Sequence, residues 1–289
     1  MGAAFLKPLQ GSTLPRDGFE FDFPRSAFQM VPIDGERPMS VLTGAEDCLM
    51  ESSRPGMVRL KDFKGGRVTS DQLGRLILPK GSSIEFSVQG VGVGSTDLVL
   101  HDGNGARSHA LQVSVKGRLR KTFALFLVRD IRRSTVRTSA DAVSIMRDVS
   151  ALFLEQTNLE LVQVGQPQEM LVQKTLGNPI LLDKELPNII RATPPVLADL
   201  FVYCVWDVED STKPSVHAAG LTGGNRSFVD DGRAVGSDAA TQQFAHEVGH
   251  ALGLDHHTDG SHLMFRAASG GLRLSQLEID KVNGTGRQP

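Results

Sequence analysis

The sequence predicts two domains, an all-β sandwich followed by an α+β domain, and three observations point that way. Its 289 residues exceed one ordinary domain, and 40% hydrophobic content is enough for packed cores. Up to residue 115, short apolar runs alternate with turns rich in Gly, Asp and Pro, the punctuation of small sheets. From Lys121 onward the apolar spacing becomes a mixture of strands and helical repeats. Lys116-Gly117-Arg118, polar and glycine-containing, marks the boundary, giving domains of 1–118 and 119–289.

In chain order, Phe19, Phe21 and Phe23 alternate with Glu20 and Asp22, one apolar face of a strand. Further strands are expected at 75–78, 83–88, 96–101 and 109–115, with turns at 79–81, 90–94 and 102–105. The glycine-rich 90–94 has no helix start after it, so it reads as a loop and not a phosphate cradle. In the second part, 122–128 is a strand, and 138–157 is an amphipathic helix with Ala142, Ile145, Met146, Val149, Leu152 and Phe153 on one face. Strands follow at 159–164 and 200–206, and Ser237 or Asp238 caps the next helix. Cys204 falls in the 200–206 strand as an inert core thiol, and Cys48 reads as a structural or incidental one; two cysteines build no disulfide scaffold. The basic runs 116–121 and 129–137 are short enough to be a solvated linker and loop.

The chemistry concentrates in residues 246–256, which read HExxHxxGxxH. Residues four apart share a helix face, so His246 and His250 can address one ion with Glu247 beside them. Counting roughly 100° per residue from Phe244, Val248, Ala251 and Leu252 fall within about 80°, whereas the two histidines lie about 200° and 240° round, off the apolar face. Gly253 tolerates positive φ and can end the helix so that His256 returns to the metal. Three histidines leave the fourth position of a zinc ion to water, the open geometry of a catalytic site. One Zn2+ is therefore expected, with its water acidified and Glu247 placed as general base and acid. From 30 glycines and 8 histidines in the chain, Gly253 and His256 would follow HExxH by chance with a frequency of about 0.003.

This motif, with Leu263-Met264 shortly after it, resembles the metzincin metalloproteases. Gly249, Ala251, Leu252 and Leu254 bring the segment nearest to the matrix metalloproteases, to whose last helix residues 274–280 are similar; Ser275 and Glu278 form a capping box there on their own terms. The resemblance covers residues from about 119 onward. It implies a metzincin-type zinc endopeptidase domain, a methionine turn at Met264, and an edge strand pairing with substrate at Ala218, Ala219, Gly220, Leu221 and Thr222. The wall after Met264, residues 265–271, would shape side-chain preference. The chain departs from its relatives at His257, which matches none of the best-known subfamilies, and at Phe265, where astacins and serralysins carry a tyrosine. The flanking motif of a latency cysteine is absent around Cys48. Upstream, the turn at 102–105 between alternating strands looks like the end of a bacterial immunoglobulin-like domain.

A net charge of −2 points to neither nucleic acid nor an anionic membrane, and no stretch approaches the roughly 20 apolar residues of a membrane span. The expected partner is a protein or peptide substrate; oligomeric state is not legible. Lys7 and Pro8 interrupt any signal-peptide core, and Leu6 stands where a myristoylation motif needs Ser or Thr. The resemblance implies a secreted or exported enzyme, with a removed signal or a leaderless route, and cytoplasmic residence as the alternative. Two other functions stand beside the endopeptidase: a zinc amidase acting on cell-wall peptide stems, and a binding protein with a vestigial zinc domain.

Overall fold

The structure, a computed structural model, describes residues 5–8, 18–21, 27–62, 69–71, 74–81, 83–209, 220–232, 238–266 and 271–284. Two compact units make up the chain: Met1–Arg118 with Glu155–Asn158 and Ser275–Ile279, and Leu119–Leu154 with Leu159–Leu274 and Asp280–Pro289.

The first unit holds β1 (Phe5–Pro8), β2 (Phe19–Phe21), β3 (Ala27–Pro32), β4 (Glu36–Leu42), β5 (Cys48–Ser52), β6 (Val58–Asp62), β7 (Thr69–Ser70), β8 (Leu76–Leu78), β9 (Ser83–Gly90), β10 (Gly94–His101) and β11 (Arg107–Lys116). They form a four-stranded sheet, β1-β4-β9-β6, and a seven-stranded one, β2-β3-β11-β10-β5-β8-β7. Met39, Val41, Phe86 and Val88 of the first sheet enter one core with Met50, Leu98, Leu100, Leu111 and Val113 of the second. Alternate residues of both sheets thus bury a common face. Six of these strands, β1 and β3 to β7, escape the sequence reading; in β3, β4 and β5 the buried positions are filled partly by Gln29, Met30, Met39, Ser40, Cys48 and Met50 rather than by aliphatic repeats. β3 runs parallel to β11, so the sheet is not purely antiparallel. Cys48 lies in the core. Phe23 lies outside the described residues. The expected linker is shorter than its sequence suggests: Lys116 is the last residue of β11 and buried, and Leu119 already begins a strand, so only Gly117 and Arg118 connect them.

From Leu119 the chain runs β12 (Leu119–Arg129), α1 (Ser139–Thr157), β13 (Leu159–Gln163), β14 (Gln168–Leu171), β15 (Ile180–Leu181), α2 (Leu182–Ala192), β16 (Leu200–Cys204), β17 (Val208–Glu209), β18 (Gly220–Gly223), β19 (Arg226–Val229), α3 (Asp238–Ala251) and α4 (Gln276–Val282), all in the second unit except residues 155–157 of α1 and 276–279 of α4. Its main sheet is ordered β13-β12-β16-β19-β18, with β14 also against β12. β12, β13, β16 and β19 are parallel, whereas β18 closes the row antiparallel to β19. The unbroken apolar run 123–128 of β12 suits a strand buried on both faces. Register places Phe126, Tyr203 and Phe228 side by side across β12, β16 and β19, with ring centroids 5.1 and 4.7 Å apart. Such stacked pairs contribute about 0.5–1.5 kcal/mol each beyond their burial.

Helix α1 starts at a reciprocal cap, in which the Asp141 N–H donates to Thr138 Oγ1 and the Thr138 N–H to Asp141 Oδ2. Its apolar face, Ala142 to Phe153, is buried. α2 is absent from the sequence reading because Pro187 sits inside it and only Leu182 and Ile189 are buried. The expected solvated loop 129–137 is also corrected at one end: Arg137 is buried, 5.6 Å over the Phe244 ring and 4.0 Å from Asp231. Among the described residues no helix is long and apolar enough to cross a membrane.

Candidate active site

Helix α3 carries the site because its two faces differ. Ala240, Phe244, Ala245 and Val248 are fully buried, while His246 and His250 are only half-buried on another side. The helix stops where Gly253 adopts a φ of +90°. There the Leu254 N–H donates to the Gly249 carbonyl and the Gly253 N–H to that of His250, the paired bonds of a Schellman cap. This turn sends the chain back past the helix end and brings His256 to the other two rings.

The three rings converge. His250 Nε2 stands 3.1 Å from His246 Nε2 and 3.2 Å from His256 Nε2. In two of them the tautomer follows from the partner of Nδ1: His246 Nδ1 lies 2.8 Å from the Leu263 carbonyl and His250 Nδ1 lies 2.8 Å from that of Leu254. A carbonyl only accepts, so each Nδ1 carries the hydrogen and each Nε2 presents a lone pair. Two neutral lone pairs 3.1 Å apart repel, and a cation between them removes the conflict. Four ligands at roughly 2.0–2.1 Å from a tetrahedral zinc stand about 3.3 Å apart, so these residues fit such an ion. His257 belongs elsewhere: its ring stacks 3.9 Å from that of His262, and its Nδ1 accepts from the Asp259 N–H.

Met264 lies fully buried beneath the helix. A Cβ on Gly249 would come 2.5 Å from Met264 Sδ, so this glycine is what lets the sulfur approach. The turn also supplies the carbonyl of Leu263 to His246, a role that no local signal reveals. It is held by His257 N–H to the Met264 carbonyl, 2.7 Å, and Leu263 N–H to that of Arg273, 2.7 Å.

Glu247, the residue after His246, packs against β18, and its side chain is buried. Thr222 Oγ1 on β18 lies 2.7 Å from Glu247 Oε2 and 3.0 Å from its carbonyl oxygen, to which Ser227 Oγ also donates. A Cβ on Gly220 would collide with Glu247 Cγ, so β18 must be narrow where the carboxylate crosses it. Burial pushes the Glu247 carboxyl up to about 7; the Thr222 hydroxyl works against that rise and the charge of Asp230 adds to it.

Of the expected substrate strand, Gly220, Leu221 and Thr222 lie in β18 at the end of the sheet, and Ala218 and Ala219 fall outside the described residues, as does Ser237 at the helix start. In the wall after Met264, residues 267–270 also lie outside them. Behind α3 sits a polar cluster that spacing alone does not reveal. Gln243 Nε2 donates to Asp230 Oδ1 at 2.6 Å, and Asp231 accepts from Thr135 Oγ1 and the Val136 N–H.

Residues 211–274 match the family model for Peptidase M66, a span that contains all three histidines and Glu247. No curated protein matches. Among solved structures, archaemetzincin from Methanopyrus kandleri is similar over 57% of this chain and 95% of its own, at 14% identity and a TM-score of 0.42. A zinc-dependent peptidase from Methanocorpusculum labreanum is similar over 56% and 100%, at 13% identity and a TM-score of 0.36. Metalloproteinase-II from Bacteroides fragilis is similar over 90% and 85%, at 9% identity and a TM-score of 0.40.

Proposed function

We propose that the protein is a zinc-dependent endopeptidase of the metzincin type, with His246, His250 and His256 holding one zinc ion and Glu247 as general base and acid. The observation that carries this reading is the convergence of three ring nitrogens, two of them set as lone pairs by main-chain carbonyls, beside a buried glutamate. The peptidase family match over the same segment supports it. Bound there, zinc would acidify a water and polarise the scissile carbonyl. Glu247 accepts the proton of the attacking water and passes it to the leaving amine. β18 offers its outer edge to an extended substrate, and main-chain pairing of that kind recruits a peptide with little regard to sequence. Met264 underlies the site without touching substrate, and the first unit governs location or substrate choice in an exported enzyme.

The test is hydrolysis of unstructured proteins and of cell-wall peptide-stem fragments by the purified chain, with and without a chelator. Cleavage of internal peptide bonds, lost on chelation and restored by zinc, is the expected result. Activity on the cell-wall fragments alone would replace the endopeptidase with an amidase. Absence of hydrolysis in a zinc-loaded sample would leave a binding protein.

A further inference from the structure

We infer that Thr222 is the positioning residue for Glu247, so that the strand offered to substrate also aims the general base. This inference rests on the peptidase reading above.

The geometry is specific. Thr222 Oγ1 reaches two oxygens of the same residue, Oε2 of the carboxylate at 2.7 Å and the main-chain oxygen at 3.0 Å. A threonine hydroxyl has one hydrogen and two lone pairs. With the carboxylate ionised, the hydrogen goes to Oε2, and the main-chain oxygen keeps its bond from Ser227 Oγ. When Glu247 takes the proton of the attacking water on its other oxygen, Oε1, Oε2 remains an acceptor and keeps the hydrogen of Thr222 Oγ1. One hydroxyl therefore keeps the carboxyl in place in both states, and no heavy atom moves.

Holding Oε2 in this way leaves Oε1 to face the water. The alternative orientations of the carboxylate are closed by its surroundings: the side chain is buried, and Gly220 leaves only enough room for Glu247 Cγ and Cδ to lie across β18. Residue 222 is thus tied to the reacting centre through Glu247 and to the peptide through the strand it belongs to. Bringing a substrate to β18 and orienting the base become properties of one short element.

Two substitutions separate this role from simple packing. Thr222→Val keeps the shape and removes the hydroxyl; Thr222→Ser keeps the hydroxyl. On an unstructured peptide, Thr222→Val should lower kcat by about 10- to 100-fold, the scale of a misaimed reacting group, with KM and zinc content close to wild type. Thr222→Ser should restore kcat to within a few-fold. A second readout needs no substrate: the infrared difference between zinc-loaded wild type and Glu247→Gln isolates the Glu247 carboxylate stretch, which should shift in Thr222→Val and return in Thr222→Ser. Unchanged kcat and an unshifted band in a folded Thr222→Val would overturn the inference and leave the endopeptidase intact. A rise in KM alone would also overturn it, reducing Thr222 to a strand residue. If wild type cleaves no peptide, the peptidase reading falls; a band that shifts even so keeps the hydroxyl as the carboxylate's anchor, and a band that does not removes both.

Discussion

At Gly249 two opposed effects meet, and their sizes predict the outcome of one substitution. Glycine inside a helix is about 1 kcal/mol less favourable than alanine, so Gly249→Ala would stabilise an isolated helix. Here the new Cβ would lie 2.5 Å from the buried Met264 sulfur, and forcing an extra methyl into a packed core costs about 1–3 kcal/mol. The net expectation is a loss of about 1 kcal/mol in denaturant unfolding, with weaker zinc retention because the displaced turn carries the carbonyl that orients His246. His256→Ala should reduce zinc from one per chain to substoichiometric in elemental analysis, since two helix histidines form an incomplete site. Full occupancy in that variant would remove His256 from the ligand set. Glu247→Gln should keep zinc and fold while peptide turnover falls at least about 100-fold, the usual contribution of a positioned proton acceptor.

Among the elements, the end of β12 shows how one carboxylate organises a loop. Asp130 accepts from the N–H groups of Arg132 and Arg133, both at 2.6 Å, and from that of Leu176 at 2.7 Å. Burial alone would raise its carboxyl, but those three donors, with the charge of Arg133, outweigh it and hold the group below its ordinary value. Asp130→Ala leaves the buried Leu176 N–H unpaired and removes the acceptor of the other two, and should cost about 1–3 kcal/mol at neutral pH. Because the folded group is depressed, its contribution is present above the unfolded carboxyl value of about 3.9 and disappears as pH falls through the lower folded value. Urea melts of wild type and variant should therefore converge in strong acid; a gap independent of pH would show that packing, not charge, is at stake. The small helix α4 offers a simpler comparison. Its Glu278 N–H donates to Ser275 Oγ and the Ser275 N–H to Glu278 Oε2, the box that its sequence spells out.

For the whole molecule, the separation of two units leads to a fragment experiment. A chain beginning at Leu119 is expected to fold and to cleave peptides, because β12, β13, β14, β16, β18 and β19 share a sheet of their own and the three histidines and Glu247 all lie on or after α3. Circular dichroism and a peptide assay decide it, and a fragment that stays unfolded would show that residues 155–158 and 275–279, which group with the first unit, need it for stability. What the sequence by itself determined is whatever a single repeat enforces. The 3.6-residue helix period places His246 and His250 together and away from Phe244 and Val248, a glycine at residue 253 allows the positive φ that returns His256, and an unbroken apolar run marks β12 as buried. What only the tertiary structure decided are the pairings between distant segments: Thr222 with Glu247, 25 residues apart, the Leu263 carbonyl with His246, 17 apart, and Arg137 with Asp231 and Phe244. Those depend on sheet register and on where loops close. Residues 122–128 carry no mark of which strands will flank them, and the hydroxyl of Thr222 looks in sequence like any other in a strand. Local periodicity fixes which side chains can share a face; the free energy of packing the faces together, summed over the whole unit, fixes which of them meet.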